Sequence, residues 1–388
     1  MKTTPVQPAV LDFDVAGVPR SPHYGDVYHP QAGALGQARH VFLGGNGLPE
    51  RWRGRADFVV LECGFGLGHN FLATREAWRS DPARCERLHY VAVEQHPLTR
   101  ADLARVHAGS PLAPLADELI EQWPPLTPNL HLLRFAHGRL RLLLALADAR
   151  AVLPELVARV DAFYLDGFAP ATNPGMWEPR VFEALARLAA PGATAATWSV
   201  ARAVRDGLAR AGFAVEKAAG FGAKREMTVA RFAPRFIARL PPGRVPAARP
   251  SHCLVVGGGL AGCAAAWALT EVGVASTVVD RRPAPAVETS GNAAGVFHGV
   301  VTAHDGTHAR FGRAAALQAT PLGEAMRRAR GVRAGSAGLL RLAGAGADRA
   351  ALQAVLDTLG LPADYVRAVD CGEAGALAGV PLASAALF

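Results

Sequence analysis

The segment LECGFGLG at residues 61–68 decides the fold class of the first half of this chain. It follows the apolar run DFVVLE at residues 57–62 and precedes a helical stretch, so the glycines occupy a strand-to-helix turn. Glycine accepts positive φ angles and lets a ligand approach the backbone closely. A lone glycine-rich turn is also common as a purely structural feature. Its interpretation therefore depends on the residues around it.

Short apolar runs recur along the first half of the chain, with helical stretches at residues 179–188 and 201–211. Three further runs are HYVAVE at 89–94, VDAFYLD at 160–166 and GATAATWS at 192–199. Short buried strands that alternate with helices are typical of a parallel, doubly wound sheet. The sequence therefore predicts a Rossmann-type α/β fold.

The second apolar run ends in an acid, Glu94. In a Rossmann sheet such an acid lies beside the first turn and can accept hydrogen bonds from both ribose hydroxyls. This pattern favours an adenosyl cofactor without a pyrophosphate, bound by Gly64, Gly66, Gly68 and Glu94. Glu62, at the end of the first run, either bonds a ligand amine or fixes the loop.

The third apolar run also ends in an acid, Asp166, followed by an aromatic residue and prolines. The carboxyl ends of such strands face the ligand crevice. A carboxylate there can accept an N–H bond from an amine nucleophile, or take its proton as the nitrogen attacks a methyl group. The alternative is a helix N-cap, which is common at strand-to-helix turns, and the spacing does not choose between them.

A second glycine-rich turn, LVVGGGLAG at residues 254–262, fits a strand–GxGxxG–helix pattern. Gly257, Gly259 and Gly262 are its fingerprint glycines, and Asp280 ends the next strand. In this context the helix N-terminus faces a pyrophosphate and the acid faces a ribose. The pattern predicts a second Rossmann-type, dinucleotide-binding unit, without separating FAD from NAD.

Composition and length indicate two domains. The chain has 388 residues, which is long for a single domain. Half of the residues (50%) are hydrophobic, which is enough for a buried core. Residues 236–250 are rich in proline and arginine and predict a linker between domains at 1–235 and 251–388.

The net charge and the number and spacing of the cysteines limit the kinds of partner and metal site to expect. The net charge of +8 suits a polyanion such as RNA, although an even spread of arginines explains it equally well. The five cysteines form no CxxC pair, and His298, His304 and His308 lack metal-ligand spacing, so no metal site is expected. The sequence also has no signal core and no membrane-spanning run, which predicts a cytoplasmic protein.

Five stretches together resemble the family of bifunctional tRNA 5-methylaminomethyl-2-thiouridine biosynthesis proteins. They are GDVYHP (25–30), ARHVFLGGNGLPERW (38–52), LECGFGLGHNFL (61–72), FYLDGFAPATNPGMW (163–177) and FGAKREMTVARF (221–232). The resemblance implies an N-terminal domain that uses S-adenosylmethionine to methylate an aminomethyl group on the wobble uridine of tRNA. It also implies a C-terminal, FAD-dependent domain that oxidatively removes a carboxymethyl group from the same position.

The resemblance also implies roles for individual residues. Asp166 corresponds to the catalytic acid that contacts the substrate amine. Glu62, Gly64, Gly66 and Glu94 correspond to the S-adenosylmethionine site, and Asn46, beside Gly44 and Gly45, lies in a matching loop. Lys224 and Arg225 correspond to a basic loop that touches tRNA phosphate; the alternative is a solvated charge pair next to Glu226.

One departure concerns the acid that reads the adenine amine, which this family carries in a Gly-Asp pattern. The corresponding stretch here, FAHGR at residues 135–139, has no carboxylate. Either the cofactor affinity or this local alignment differs from the family. Asp148 is a distant candidate to replace this acid, but the sequence favours the alternative that it lies on an exposed helix face.

The segment TSGNAAG at residues 289–295 resembles the second FAD-contacting loop of glycine-oxidase-like flavoproteins, which favours FAD over NAD. Ser290 and Asn292 are its candidate cofactor contacts. Flavoprotein domains of this class are longer than residues 251–388, so an incomplete module with exposed apolar surface is expected.

Two other functions remain open at this level. The first is a catalytically silent binding scaffold, suggested by the missing adenine acid and the short second domain. The second is a small-molecule amine methyltransferase without an RNA partner, against which the net positive charge weighs.

Overall fold

A cap of short elements precedes the main sheet. The computed structural model describes residues 4–236, 240–241, 243–330, 338–344 and 347–388. The cap consists of a three-stranded antiparallel sheet and a run of helical turns. Its elements are β1 (Asp12–Phe13), β2 (Pro19–Ser21), β3 (Asp26–Val27), α1 (Ala34–Gln37), a π-helical turn at Ala38–Leu43, and 3₁₀ turns at Gly44–Asn46 and Glu50–Trp52.

An eight-stranded mixed sheet forms the centre of the first half, in the order β10-β11-β9-β8-β4-β5-β7-β6. Strands β4, β5, β7, β8 and β9 are parallel, whereas β6, β10 and β11 make antiparallel pairs. The strands are β4 (Asp57–Cys63), β5 (Arg87–Glu94), β6 (Asn129–Phe135), β7 (Leu140–Leu146), β8 (Val160–Leu165), β9 (Ala189–Thr197), β10 (Phe213–Ala219) and β11 (Glu226–Phe232).

Six helices connect these strands. They are α2 (His69–Ser80), α3 (Arg100–His107), α4 (Ala113–Gln122), α5 (Ala149–Val152), α6 (Pro179–Leu188) and α7 (Arg202–Arg210). Apolar side chains of β4 alternate between two cores: Phe58 and Val60 pack in one, Leu61 and Cys63 in the other. Both faces of the parallel strands are therefore covered, as a doubly wound sheet requires.

The four predicted strands lie in β4, β5, β8 and β9, and the predicted fold class is confirmed. The sequence did not predict β6 and β7. Both are rich in leucine, which forms helices readily, and they carry few of the β-branched residues that favour strands. The antiparallel pairing of β6 with β7 in a hairpin stabilises the two strands although their local strand propensity is low.

The second half contains a separate βαβ unit and a small sheet. Strand β12 (His252–Val256) pairs in parallel with β13 (Ala275–Val279) across α8 (Leu260–Glu271). The remaining elements are α9 (Thr307–Arg330), β14 (Arg341–Leu342), α10 (Arg349–Leu359), β15 (Ala368–Val369), α11 (Cys371–Ala378) and β16 (Ala386–Leu387). Leu254 and Val256 of β12 are 63% and 82% exposed.

The two halves meet at the β6–β7 hairpin. Glu271, at the end of α8, accepts hydrogen bonds from Arg134 Nε and Arg141 Nη2, each at 3.1 Å. The guanidinium of Arg134 also lies 5.1 Å from the ring centre of Trp267. Of the predicted linker at 236–250, residues 237–239 and 242 lie outside the described residues. The predicted domain boundaries stay a prediction.

Two features are absent from the described parts of the chain. Within them, no helix combines the length and the apolar character that crossing a bilayer requires. The same residues bring together no group of three or more His, Cys, Asp or Glu side chains suited to a metal ion.

Candidate active site

A cavity of about 360 Å³ lies at the carboxyl ends of the central parallel strands. The order of the sheet reverses here, because β4 is flanked by β5 on one side and β8 on the other. Ligands of open α/β sheets bind at such a reversal. Segments that follow β4, β5, β7 and β8 line this ligand cavity, and the cap closes it with residues of β2 and β3.

The first glycine-rich turn forms the floor of the ligand cavity. Gly64, Gly66 and Gly68 have φ angles of +91°, +50° and +77°. A Cβ atom at Gly64 would lie 2.2 Å from the backbone oxygen of Asp166, so glycine is required for these two strand ends to meet. Gly64 and Gly66 line the cavity, whereas Gly68 directly precedes α2 and turns the chain into that helix.

Glu94 lies at the end of β5 with its carboxylate at the ligand cavity. Its Oε2 accepts a hydrogen bond from Gly66 N and its Oε1 from His96 N, both at 2.8 Å. Burial raises the pKa of this carboxyl, while the backbone hydrogen bonds act against that shift. The backbone thus holds the carboxylate in one orientation, and each oxygen keeps acceptor capacity for a ligand hydroxyl.

Asp148 also lines the ligand cavity, which corrects the prediction that it lies on an exposed helix face. It follows β7 and caps the N-terminus of α5, since its Oδ1 accepts from Arg150 N at 2.8 Å. Burial opposes its charge, but the bonds from Arg150 outweigh burial and lower the pKa of the carboxyl. Glu94 and Asp148 therefore both reach the ligand cavity from the ends of adjacent strands, and Asp148, named from the sequence only as a distant substitute, is placed to serve as one.

The stretch 135–139, read as the family's adenine-contacting position, lies elsewhere. It ends β6 and turns into β7, at the amino end of the parallel strands, and Gly138 lies against Glu271 of the second half. Because the sequence did not reveal β7, it could not indicate that the end of this strand, and hence Asp148, reaches the cavity.

Asp166 stands at the end of β8, and its carboxylate lines the ligand cavity. Its Oδ2 accepts a hydrogen bond from Asn70 Nδ2 at 2.7 Å. Burial raises the pKa of this carboxyl to about 7, against the opposing effects of Asn70, Lys224 and the Trp198 side chain. A carboxyl with this pKa can both hold a proton and release it near neutral pH.

Glu62 lies beneath the cavity rather than on its surface. It is fully buried, and it accepts hydrogen bonds from Asn70 Nδ2 at 2.8 Å and from the Tyr90 hydroxyl at 2.9 Å. Burial raises the pKa of Glu62 well above its usual range, and the neighbouring Asp166 adds to this shift. Of the two roles left open by the sequence, the geometry favours fixing the loop.

Asn46 lies away from the ligand cavity, which corrects its assignment as a cofactor contact. Its Nδ2 donates to the backbone oxygens of Phe42 and Phe163, at 2.9 and 3.2 Å, and its Oδ1 accepts from Thr194 Oγ1 at 2.6 Å. The amide is thus used to join the cap to β8 and β9. Its neighbour Gly45 packs against Ala196, where a Cβ atom would clash at 2.8 Å.

Lys224 and Arg225 diverge, although they are adjacent in sequence. Lys224 lines the ligand cavity, with its Nζ 3.2 Å from the ring centre of Trp198. Glu226, next to which the alternative placed a solvated charge pair, accepts a hydrogen bond from Lys217 Nζ at 2.8 Å. Arg225 is exposed, outside the lining of the cavity.

Aromatic residues that the sequence reading did not single out cover the mouth of the ligand cavity. Tyr24 stacks on Phe168 with ring centres 4.6 Å apart, and Tyr28 meets the same ring edge-on at 5.2 Å. Asp26 anchors this cap segment, because its Oδ2 accepts from Ala169 N at 3.1 Å. Asp26 and Tyr28 belong to the GDVYHP stretch, which resembles the family, but only the fold shows that this stretch lies at the ligand cavity.

The second glycine-rich turn has the geometry of a dinucleotide site. Asp280 Oδ2 accepts from Gly258 N at 2.6 Å, which joins the end of β13 to the turn. A Cβ atom at Gly262 would lie 1.8 Å from the backbone oxygen of Gly257, so α8 approaches β12 only with glycine there. Gly257 has a φ of +102°.

The segment 289–291 approaches this second turn. Ser290 Oγ accepts from Leu260 N at 3.0 Å, at the start of α8, and lies 2.8 Å from where a Cβ atom of Gly259 would be. Asn292 is exposed and directly follows the 3₁₀ turn Thr289–Gly291. The structure thus brings Ser290 to the turn, with Asn292 at its margin.

Comparisons with known proteins agree with two cofactor-dependent domains. Residues 110–233 match the family described as S-adenosyl-L-methionine-dependent methyltransferase, and residues 252–388 match FAD dependent oxidoreductase. The expected pair of cofactors is confirmed at the level of these two families.

Proteins named tRNA 5-methylaminomethyl-2-thiouridine biosynthesis bifunctional protein MnmC are similar over the whole chain. The protein from Methylibium petroleiphilum is 56% identical, over 100% of this chain and 60% of its own length. That from Thiobacillus denitrificans is 50% identical, over 99% and 61%. A solved structure, MNMC2 from Aquifex aeolicus, is 23% identical over 59% of this chain and 71% of that one, with a TM-score of 0.48.

The chain thus spans about 60% of the length of the curated relatives that it matches. Because the similarity extends over the whole chain and includes both matched domains, the chain belongs to the family of the bifunctional tRNA 5-methylaminomethyl-2-thiouridine biosynthesis proteins.

Proposed function

We propose that the first half of the chain transfers a methyl group from S-adenosylmethionine to an amine nitrogen held at Asp166. We further propose that this amine is the aminomethyl group of a wobble uridine in tRNA. The observation that carries the proposal is a single cavity in which the glycine-rich turn, Glu94 and Asp148 face Asp166.

The residues of the ligand cavity fit an adenosyl cofactor. The backbone of Gly64 and Gly66 is open to close approach, since neither carries a side chain. Glu94 and Asp148 offer carboxylate acceptors at the ends of adjacent strands, which suits ribose hydroxyls and the adenine amine. When bound, S-adenosylmethionine supplies an electrophilic methyl group on its sulfonium.

Asp166 is suited to the acceptor amine. In its ionised form it accepts an N–H bond and orients the nitrogen, and it can take the proton that the amine releases on methylation. The surrounding cap, with Tyr24 and Phe168, excludes water and limits the motion of the acceptor. Most of the rate enhancement is expected from this proximity and orientation.

A tRNA acceptor is supported by the names of the relatives and by the net charge of +8. With such an acceptor, the protein would act in the cytoplasm. Lys224 and Arg225 are both exposed, but Lys224 lines the ligand cavity near Asp166, whereas Arg225 lies outside that lining and would face phosphate. Within the basic loop, Lys224 would then act on Asp166 and Arg225 would bind the tRNA backbone.

Separate substitutions test this division. Lys224→Ala is expected to lower kcat/KM for methyl transfer about tenfold, because a cation beside Asp166 is lost, and to leave the salt dependence of tRNA binding unchanged. Arg225→Ala is expected to weaken tRNA binding and to reduce the slope of log Kd against log salt by roughly 0.7–0.9, as for one lost phosphate contact. Titration of labelled tRNA at several salt concentrations measures both slopes.

Lys217→Ala is the matched control, since Lys217 is an exposed lysine that pairs with Glu226. It should change neither quantity. Equal salt slopes for wild type and Arg225→Ala would contradict the phosphate contact, and a Lys224→Ala protein with unchanged turnover would contradict a role in the cavity.

For the second half we propose an FAD-dependent oxidation that removes a carboxymethyl group from the same tRNA position. Gly257, Gly259 and Gly262 would hold the pyrophosphate at the start of α8, and Asp280 would bind the ribose. Ser290 and Asn292 would close the site from the side. When bound, FAD supplies a two-electron oxidant.

Gly262→Ala is expected to remove bound flavin from the purified protein. The added Cβ atom would lie 1.8 Å from the oxygen of Gly257 and would push α8 away from β12. Absorbance near the flavin maximum, per mole of protein, measures the loss. Gly323→Ala, in α9 with no atom within 4 Å of the added Cβ, is the control and should keep wild-type occupancy. Equal flavin content in both variants would refute the assignment.

One assay tests the methyltransferase proposal directly. The purified chain is incubated with labelled S-adenosylmethionine and tRNA that bears the aminomethyl wobble uridine. Label in the tRNA supports the proposal. Label only in free small amines supports the small-molecule methyltransferase, and a folded protein that gives neither label nor heat of S-adenosylmethionine binding supports the scaffold.

A further inference from the structure

The amide of Asn70 lies between two carboxyl groups. Its Nδ2 donates to Glu62 Oε1 at 2.8 Å and to Asp166 Oδ2 at 2.7 Å. An amide nitrogen carries two hydrogens, so both donors are used, one for each carboxyl. Asn70 is 5% exposed and lines the ligand cavity, so these bonds form away from bulk water.

We propose that Asn70 is a positioning residue that fixes the orientation and the charge of the Asp166 carboxylate by joining it to the buried Glu62. The inference rests on the proposed methyl transfer at Asp166. General acid–base catalysis by a carboxylate does not require an asparagine beside it, and the sequence alone assigned no role to Asn70.

Further hydrogen bonds fix the position of Asn70 itself. It belongs to the first turn of α2, and its backbone oxygen accepts from Thr74 Oγ1 at 2.6 Å. Thr74 in turn lies 3.1 Å from the Tyr164 hydroxyl. On the other side, the Tyr90 hydroxyl donates to Glu62 Oε2, so Glu62 cannot turn away from Asn70 without losing that bond. The whole chain of contacts is buried, which restricts Asn70 to one arrangement.

A neutral amide suits this place because both neighbours are acidic. Two carboxylates in contact would repel each other, whereas an amide donates to both without adding charge. Burial raises the pKa of Asp166, and the hydrogen bond from Asn70 to the ionised form opposes that shift, so that the pKa is about 7 with the bond in place. Without the bond from Asn70, more of the carboxyl would be protonated near neutral pH and unable to accept an N–H.

Other charged and titratable groups also face this carboxylate. Glu62 approaches from β4 and Tyr90 from β5. Lys224 approaches from the loop between β10 and β11, with Asp26 of the cap near the lysine. All of these groups remain in an Asn70 variant, so a change in the titration of Asp166 would report the two amide bonds that are lost, one to Asp166 itself and one to the neighbouring Glu62.

The test compares Asn70→Leu, which keeps the shape without donors, with wild type. We expect the acid limb of the pH profile of kcat to move upward by about one pH unit, the shift worth one hydrogen bond to a charged group. At pH 7 the variant should be roughly fivefold slower, and by about pH 9 most of this loss should disappear. The ratio of variant to wild-type rates at each pH removes the titration of the substrate amine.

Asn70→Asp is a second, isosteric variant, and it should shift the acid limb further because it adds a third carboxyl. Glu76→Gln, at a partly exposed site on the same helix where the carboxylate pairs with Arg39, is the control and should follow the wild-type profile. A rate ratio that stays flat between pH 6 and 9 would overturn the proposal, because it would mean a structural role only.

A direct titration separates this proposal from the proposed function. The Asp166 carboxyl is followed by carbon-13 NMR of labelled protein, assigned with Asp166→Asn, with no substrate present. A higher Asp166 pKa in Asn70→Leu supports the role of Asn70 even if no tRNA is methylated. An unchanged pKa in a folded variant overturns it even if wild type is active.

Discussion

Asp166→Ala is expected to lower kcat for methyl transfer by roughly 10²–10³-fold, within the range that a positioned acid–base group contributes. The affinity for S-adenosylmethionine should change little, because Glu94, Asp148 and the glycine-rich turn remain in place. Radiolabel transfer to tRNA gives the rate, and isothermal titration gives the affinity.

Asp166→Asn separates charge from shape. It keeps the size of the side chain but offers a neutral amide, so it should be nearly as slow as alanine if the carboxylate is needed. Full methyl transfer by either variant would exclude the assigned role of Asp166. Loss of cofactor binding in both would instead mean that Asp166 supports the cavity.

Gly64→Ala is expected to abolish cofactor binding and to lower the free energy of unfolding by about 2–4 kcal/mol. The added Cβ atom would lie 2.2 Å from the backbone oxygen of Asp166, at a φ of +91° that alanine adopts with strain. Neither partner of this clash is a flexible side chain, so β4 and β8 would have to separate. Urea denaturation measures the stability.

Gly54→Ala isolates the contribution of backbone strain. Gly54 also has a positive φ, of +69°, but nothing lies within 4 Å of its added Cβ. It should be destabilised by only about 1 kcal/mol and should bind S-adenosylmethionine normally. If Gly64→Ala behaved like Gly54→Ala, the close approach of the two strand ends would not matter to the site.

The strands with strong local signals were predictable. Strands β4, β5, β8 and β9 combine apolar runs with acids or glycines at their ends, and these features follow from chemistry that acts within a few residues. The same signals located Gly64, Glu94 and Asp166. Their convergence follows from parallel pairing, since the carboxyl ends of adjacent parallel strands share one edge.

Strand β7 and the acid that follows it two residues later, Asp148, were not predictable in the same way. Its leucine-rich sequence has no strand signature of its own, and its place beside β5 depends on pairing across the sheet. Asp148 owes its position at the ligand cavity to that pairing. Asn46 shows the opposite case, because a residue inside a recognisable motif proved to join the cap to the sheet.

The sequence by itself determined the two glycine-rich turns, the fold class and the acids at the ends of the clearest strands, because these depend on local conformation and periodicity. Only the tertiary structure decided which polar groups share the buried space. Asn70 links Glu62 to Asp166 through contacts 8 and 96 residues apart in the chain, and burial alters the pKa of both acids. Such long-range contacts and desolvation arise only when the strands have packed together.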